Sequence, residues 1–168
     1  AASELAFLFT GSLPDETLWT AVRQGRFHTA ADRRREAVRL LDTPAARQTL
    51  RAFLHQWMGT DRLATLSKDQ SVYPEWSPVL AASMSAELDA FYEAALFRGP
   101  GSLRQLLTWD HGFVDDQLAP IYGVAGGGGA LHEVVLPADQ RSGVLPRPGF
   151  LAAHATASDS GPIGRGSF

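Results

Sequence analysis

The chain has 168 residues, of which 45% are hydrophobic and 20% are charged, and its formal net charge is −3. This composition excludes a disordered protein, and the slightly acidic balance removes the electrostatic basis for binding nucleic acid. The sequence contains no cysteine, which excludes disulfides, thiolate metal sites and Cys nucleophiles. No apolar run is long enough to predict a membrane-spanning segment.

The first two-thirds of the chain predict short helices separated by Gly and Pro. Apolar residues recur at helical spacing before Gly11, and Pro14 is expected at the first position of a second helix that ends at Gly25. Thr29 is expected to cap a third helix. We interpret its basic run, residues 33–35, as a solvated face because acidic residues flank it.

Two pairs of a hydroxyl residue and a proline predict the next helix starts. Thr43-Pro44 opens a fourth helix, whose apolar residues follow an i, i+3, i+4, i+7 pattern up to Trp57. That tryptophan is therefore expected to be a core aromatic. Ser77-Pro78 opens the longest helix, about residues 79–97.

Two more short helices, residues 102–107 and 114–122, complete the helical part. Residues 126–129 are four consecutive glycines, and since no Lys lies nearby we interpret them as a linker and not as a phosphate loop. Residues 131–136 predict a strand that needs a partner elsewhere in the chain. One further helix is expected to begin near Pro148.

These elements predict a mainly α fold. We expect a compact, bundle-like multi-helix domain over residues 1–125 and a glycine-rich linker over residues 126–130. Residues 131–168 form a separate C-terminal segment in this interpretation.

His111 and Asp115 form the first candidate site. Imidazole and carboxylate are both ligand types that suit a divalent transition metal. In the alternative interpretation, Asp115 caps the start of a helix and His111, next to a glycine, occupies a turn.

The polar C-terminal tail contains the second candidate site. His154, Ser158, Ser160 and Arg165 would hold an anion or another ligand through hydroxyl groups, neighbouring glycine N–H groups and one guanidinium. A Ser nucleophile with His154 as its base lacks the strand, Gly-x-Ser-x-Gly and helix context. A structured loop without a ligand is the other interpretation.

Several motifs follow one another in a recognisable order. They are residues 2–9 (ASELAFLF), 13–18 (LPDETL), 39–42 (RLLD), 53–57 (FLHQW), 113–115 (FVD) and 121–124 (IYGV), together with Met84, Glu87 and Phe91 of the longest helix. In this order they resemble the family catalogued as domain of unknown function fifteen-ninety-two, in which Asn often stands at the position of Asp115.

The end of the chain resembles a second family. Residues 141–145, 150–151 and 160–166 are similar to the first part of a companion domain, catalogued as fifteen-eighty-eight, that normally follows directly. The resemblance therefore implies that the second domain, residues 131–168, is incomplete and that the chain is a fragment.

The resemblance also implies a biological setting. Members of the first family are long exported proteins of planctomycetes and myxobacteria that often carry cytochrome c-type domains. Together with the lack of convergent catalytic side chains, the resemblance leads us to expect a non-catalytic scaffold or interaction module of a larger exported, cytochrome-associated protein, in the periplasm or outside the cell. The expected partners are other domains of the parent chain, including a cytochrome c domain. No cofactor is expected in this segment, and haem c is implied only for the parent.

An enzyme is the alternative, and the sequence leaves open which of the two is correct. In that interpretation the chain is part of an extracytoplasmic enzyme, such as a haem-dependent oxidoreductase, whose site other domains complete. Convergence of His111, Asp115, His154 and Arg165 on one pocket would favour this alternative.

Overall fold

Two compact units divide the chain between Leu54 and His55. The computed structural model describes residues 1–99, 101–137 and 139–166, and within them the fold is mainly α-helical, as predicted. The first part of the chain contains the helices α1 (Ala2–Thr10), α2 (Glu16–Arg23), α3 (Ala30–Leu41) and α4 (Pro44–Trp57), the last of which runs across the division. The second unit contains a 3-10 turn (Leu63–Thr65), α5 (Pro78–Phe97), α6 (Leu103–Thr108), β1 (His111–Val114), α7 (Ala119–Tyr122), β2 (His132–Val135), α8 (Pro148–Ala153) and α9 (Pro162–Gly166).

Local capping sets several of the helix starts, and here the sequence predictions are confirmed. The Thr29 hydroxyl accepts the N–H of Asp32, whose carboxylate accepts the N–H of Thr29, forming a capping box on α3. These bonds hold the pKa of Asp32 at about 2. Ser77 accepts the N–H of Leu80 at the start of α5, and Ser102 caps α6 in the same way.

The first unit is built on a small apolar core formed by α1, α2 and α3. Its buried members are Ala6, Leu18, Phe27 and Leu40. The Asp15 carboxylate caps α2 by accepting the N–H of Leu18 at 2.8 Å. It also forms a bidentate ion pair with Arg39 of α3, with distances of 2.7 and 2.9 Å. The prediction that Pro14 occupies the first helical position is wrong, because Asp15 takes the capping position and the helix begins after it.

Asp15→Ala is expected to lower the free energy of unfolding by about 1 kcal/mol, a typical loss for a helix cap. Asp15→Asn keeps the cap but loses the ion pair, which is partly exposed and therefore contributes little, so its loss should be smaller. Urea unfolding at neutral pH measures both variants. Equal losses would show that capping is not the dominant contribution of Asp15.

The same carboxylate gives a pH dependence. The hydrogen bond from Arg39 is the largest cause that lowers the pKa of Asp15 below its usual 3.8. A lowered folded pKa contributes stability above the unfolded value, and that stability is lost as pH falls through the folded pKa. The stability difference between the wild type and Asp15→Asn should therefore shrink in that acid range.

Helix α5 forms the centre of the second unit. Its buried side chains, which include Leu80, Met84, Leu88, Phe91 and Tyr92, lie on one broad face of the helix. The helix packs against β1, α6, α8 and the 3-10 turn. A helix whose broad apolar face packs against several other elements is typical of a domain core. None of the helices in the described ranges combines the length and apolarity needed to cross a bilayer.

The predicted strand has its partner in a segment that was predicted otherwise. Strand β2 pairs antiparallel with β1, with His111 opposite Val135 and Val114 opposite His132. The prediction of a helix over residues 114–122 is therefore wrong, and so is the turn position for His111. Of these residues, Val114 belongs to β1 and only the last four are helical, forming the short α7 with Pro120 in its first turn instead of near the end of a longer helix.

Exposure corrects one further prediction and confirms another. Trp57 of α4 is 47% exposed and Phe53 is 54% exposed, so the assignment of Trp57 to the core is wrong. The basic run at residues 33–35 is exposed as predicted. The glycines at residues 126–129 adopt no regular structure, and the second unit contains residues on both sides of them. The domain boundaries at residues 125 and 131 stay a prediction.

Candidate functional site

A cavity of about 520 Å³ lies in the second unit and is a candidate ligand site. Most of its wall is apolar, formed by side chains that include Tyr73, Trp76, Leu80, Met84, Ile121 and Leu151. The polar part of the lining comes from Lys68, Glu75, Ser160 and Arg165. A mostly apolar wall with a few polar groups is typical of small-molecule sites.

Lys68 is buried beside this cavity because the end of α8 holds its ammonium group. The Nζ atom donates to the carbonyl oxygens of Ala152, Ala155 and Thr156 at 2.8 to 3.0 Å and lies 5.8 Å from the Trp76 ring. Burial lowers the pKa of Lys68, and the charge of nearby Arg62 lowers it further. The side chain therefore places positive charge at the cavity but has no N–H left to donate to a ligand.

Arg165 is the second cation of the lining. One of its guanidinium nitrogens donates to the carbonyl oxygen of Ser160, which also lines the cavity. The guanidinium retains further N–H groups, and carboxylates and phosphates are its usual partners. The structure thus brings together Ser160 and Arg165, two of the four predicted residues of the tail.

The other two predicted tail residues are not part of the cavity lining. The His154 ring places Nε2 at 2.8 Å from the carbonyl oxygen of Met58 and lies against Phe150, with 4.3 Å between ring centroids. Ser158 is exposed, and its backbone N–H donates to the hydroxyl of Thr156. Their assignment to a ligand site stays a prediction.

His111 and Asp115 are engaged in local contacts. Asp115 accepts the N–H groups of Gln117 and Leu118 at 3.0 Å and the Ser83 hydroxyl at 2.5 Å, which is the capping role of the alternative interpretation. His111 bonds to Asp110 at 2.9 Å. In the ranges that the structure describes, no group of three or more His, Asp or Glu side chains is arranged to hold a metal ion.

A buried ion pair in the second unit was not predicted from the sequence. Glu87 of α5 is fully buried and accepts Arg147 Nη1 at 2.6 Å and the hydroxyl of Tyr122. Arg147 Nη2 also donates to the carbonyl oxygen of His111, and its guanidinium lies 3.7 Å from the Phe91 ring centroid. The pair therefore joins α5, β1 and the segment before α8.

Burial of this pair shifts the pKa values of both Glu87 and Tyr122. Burial raises the pKa of Glu87, while the charge of Arg147 opposes the rise. Burial also raises the pKa of Tyr122, and the neighbouring Glu87 carboxylate adds to that increase. A buried charge that lacks its partner is costly, so removal of only one member of the pair should destabilise this unit.

One sequence signal for this pair was present. Glu87 lies between Met84, Leu88 and Phe91 on the apolar stripe of α5, and an acidic residue at a core position calls for a buried partner. Arg147 gives no comparable signal, because it stands between two prolines and is 60 residues distant in sequence.

Comparison with known proteins identifies the family but supplies no function. Residues 1–124 match the family described as PSD4: Protein of unknown function (DUF1592). No curated protein and no solved structure matches the chain. The resemblance of residues 141–166 to a companion domain stays a prediction, since the match ends before them. The match covers most of the chain, and the protein belongs to the DUF1592 family.

Proposed function

We propose that the chain is a non-catalytic interaction module of a larger exported, cytochrome-associated protein. The observation that carries this proposal is the apolar surface of the first unit around α1. Phe7 is 55% exposed, Leu8 is 70% exposed and Leu13, just after the helix, is 71% exposed. We refer to these three residues as the α1 surface.

The helical period explains this surface. Residues 3, 4, 7 and 8 are all exposed and share one face of α1, while Ala6 on another face is fully buried in the core. Large exposed apolar side chains on one helix face, here Phe7 and Leu8, are typical of a protein–protein contact. An apolar protein surface, such as that of another domain of the parent chain, is the partner that this chemistry favours.

Two further points support the proposal. Of His111, Asp115, His154 and Arg165, the residues whose convergence would favour an enzyme, only Arg165 is part of the cavity lining, and the other three make hydrogen bonds within the protein. The export and the cytochrome association rest on the family resemblance. Covalently bound haem in the full-length parent protein would support the cytochrome association.

Amide hydrogen exchange tests the proposed contact in the full-length protein that contains this chain. We expect Ala2–Thr10 to exchange more slowly in that protein than in the isolated chain, because a partner domain covers α1. Phe7→Glu with Leu8→Glu should remove the additional protection while leaving the isolated chain folded, since both side chains are exposed.

Val38→Glu is the matched control. Val38 is also 55% exposed in the first unit but lies on α3, outside the α1 surface. Its substitution should leave the protection of α1 unchanged. Equal exchange of α1 in the isolated chain and in the full-length protein would contradict the proposal, and substrate turnover by the purified chain would favour the enzyme alternative.

A further inference from the structure

The cavity of the second unit differs from the α1 surface in chemistry as well as position. It is concave and has an apolar wall that includes two aromatic side chains, Tyr73 and Trp76. Its volume of about 520 Å³ lies within the range of small-molecule sites, roughly 300 to 1,000 Å³. An alkyl chain or an aromatic ring would be removed from water there.

The charged side chains of the lining indicate which polar group the ligand would carry. Lys68 and Arg165 contribute two positive charges, whereas Glu75, which is exposed, contributes one negative charge. Neither cation has a carboxylate within ion-pair distance in the part of the chain that the structure describes. The local balance is therefore positive and favours a ligand with one negative group.

The two cations have different roles because their hydrogen bonds differ. The N–H groups of Lys68 are used by three backbone carbonyls, so it acts only through its charge. Arg165 has N–H groups left after its bond to Ser160 and can donate directly to a carboxylate. Arg165 is therefore the residue that would orient the ligand.

We propose that this cavity binds a small apolar carboxylate, with its hydrocarbon part against Tyr73, Trp76 and Leu80 and its carboxylate at Arg165. The proposal is independent of the α1 surface, which lies in the other compact unit. Either proposal can therefore fail without affecting the other.

Decanoate is a suitable probe, with decyltrimethylammonium and decanol as cationic and neutral controls of the same chain length. Calorimetric titration of the whole chain should show saturable binding of decanoate that is at least about tenfold tighter than that of decyltrimethylammonium, because the lining is positive. Decanol should bind with intermediate affinity. Quenching of tryptophan fluorescence that is lost in Trp76→Phe would place the probe beside that ring.

Arg165→Gln should weaken decanoate binding about tenfold, the effect of losing a charge-assisted hydrogen bond, and leave decanol binding unchanged. Arg104→Gln is the matched control, since Arg104 is an exposed arginine of α6 outside the cavity lining. It should bind decanoate like the wild type. Equal weakening by the two substitutions would overturn the role of Arg165.

A variant that fills the cavity tests the location. Ala152→Phe should abolish binding of both decanoate and decanol, because its side chain enters the space between α8 and Trp76. If that variant does not fold, Ile121→Trp provides the same test at the partly exposed edge. Unchanged binding in a folded cavity-filling variant would overturn the proposal, as would no saturable binding of decanoate or equal affinity for all three probes.

Discussion

Arg147→Met is expected to lower the free energy of unfolding by about 3 to 5 kcal/mol, because it leaves the Glu87 carboxylate buried without its positive partner. It also removes the donor to the carbonyl oxygen of His111. Urea or guanidinium unfolding at neutral pH measures the loss. A loss below about 1 kcal/mol would show that the Glu87 site is hydrated or that its carboxylate is already neutral.

Arg98→Met is the matched control for this substitution. Arg98 also forms an ion pair, with Glu133 at 2.6 Å, but both side chains are substantially exposed. Solvent screens such a pair, so the loss should stay within about 1 kcal/mol. Arg147→Met combined with Glu87→Gln should recover part of the stability, since the double variant leaves no unpaired charge at the Glu87 site.

The effect of Arg147→Met should also depend on pH. Burial raises the pKa of Glu87, and removal of Arg147 takes away the charge that opposes this rise. With a raised folded pKa, stability is largest below the unfolded pKa and is lost as pH rises through the folded value. The loss caused by Arg147→Met should therefore shrink as the solution is acidified.

Gly143→Ala is expected to cost about 2 to 4 kcal/mol. Gly143 has a φ of +72°, where a side chain is strained, and an added Cβ would overlap the backbone carbonyl of Leu107. The segment cannot move away easily, since Gly143 donates to the carbonyl oxygen of Trp109 at 2.8 Å and Val144 donates to that of Leu106 at 3.0 Å. Thermal or urea unfolding measures the effect.

Gly123→Ala separates the cost of backbone strain at positive φ from the cost of overlap with the Leu107 carbonyl. Gly123 has a similar φ of +67°, but an added Cβ would meet no atom of the described residues within 4 Å. It should cost only the conformational strain, about 1 to 2 kcal/mol. If both substitutions cost the same amount, contact with Leu107 makes no contribution and the segment before α8 is free to adjust.

Arg147 and Gly143, the residues substituted in these two predictions, lie after the end of the family match. Glu87 and Tyr122 lie within residues 1–124, whereas Arg147 and Gly143 do not. Strand β2, the partner of β1, also follows the matched region. A chain cut at residue 124 would therefore retain the buried carboxylate without its counter-charge and β1 without its neighbouring strand.

The sequence alone determined the helical character and most of the helix starts. Thr29 caps its helix as predicted and α5 starts after Ser77 as predicted, because a helix start depends on atoms only a few residues apart. The family was also predictable, since its motifs depend on order along the chain and not on contacts. Residue chemistry alone indicated Ser160 and Arg165 as candidates, and both line the cavity.

Only the tertiary structure decided the pairings between distant residues. Local patterns predict a turn and the start of a helix where β1 lies, because the hydrogen bonds of β1 are made with β2, 18 or more residues later. The partner of Glu87 lies 60 residues away, and the cavity joins Lys68 to Arg165 across most of the second unit. Local sequence patterns carry no information on such pairs, because packing of the chain brings these residues together.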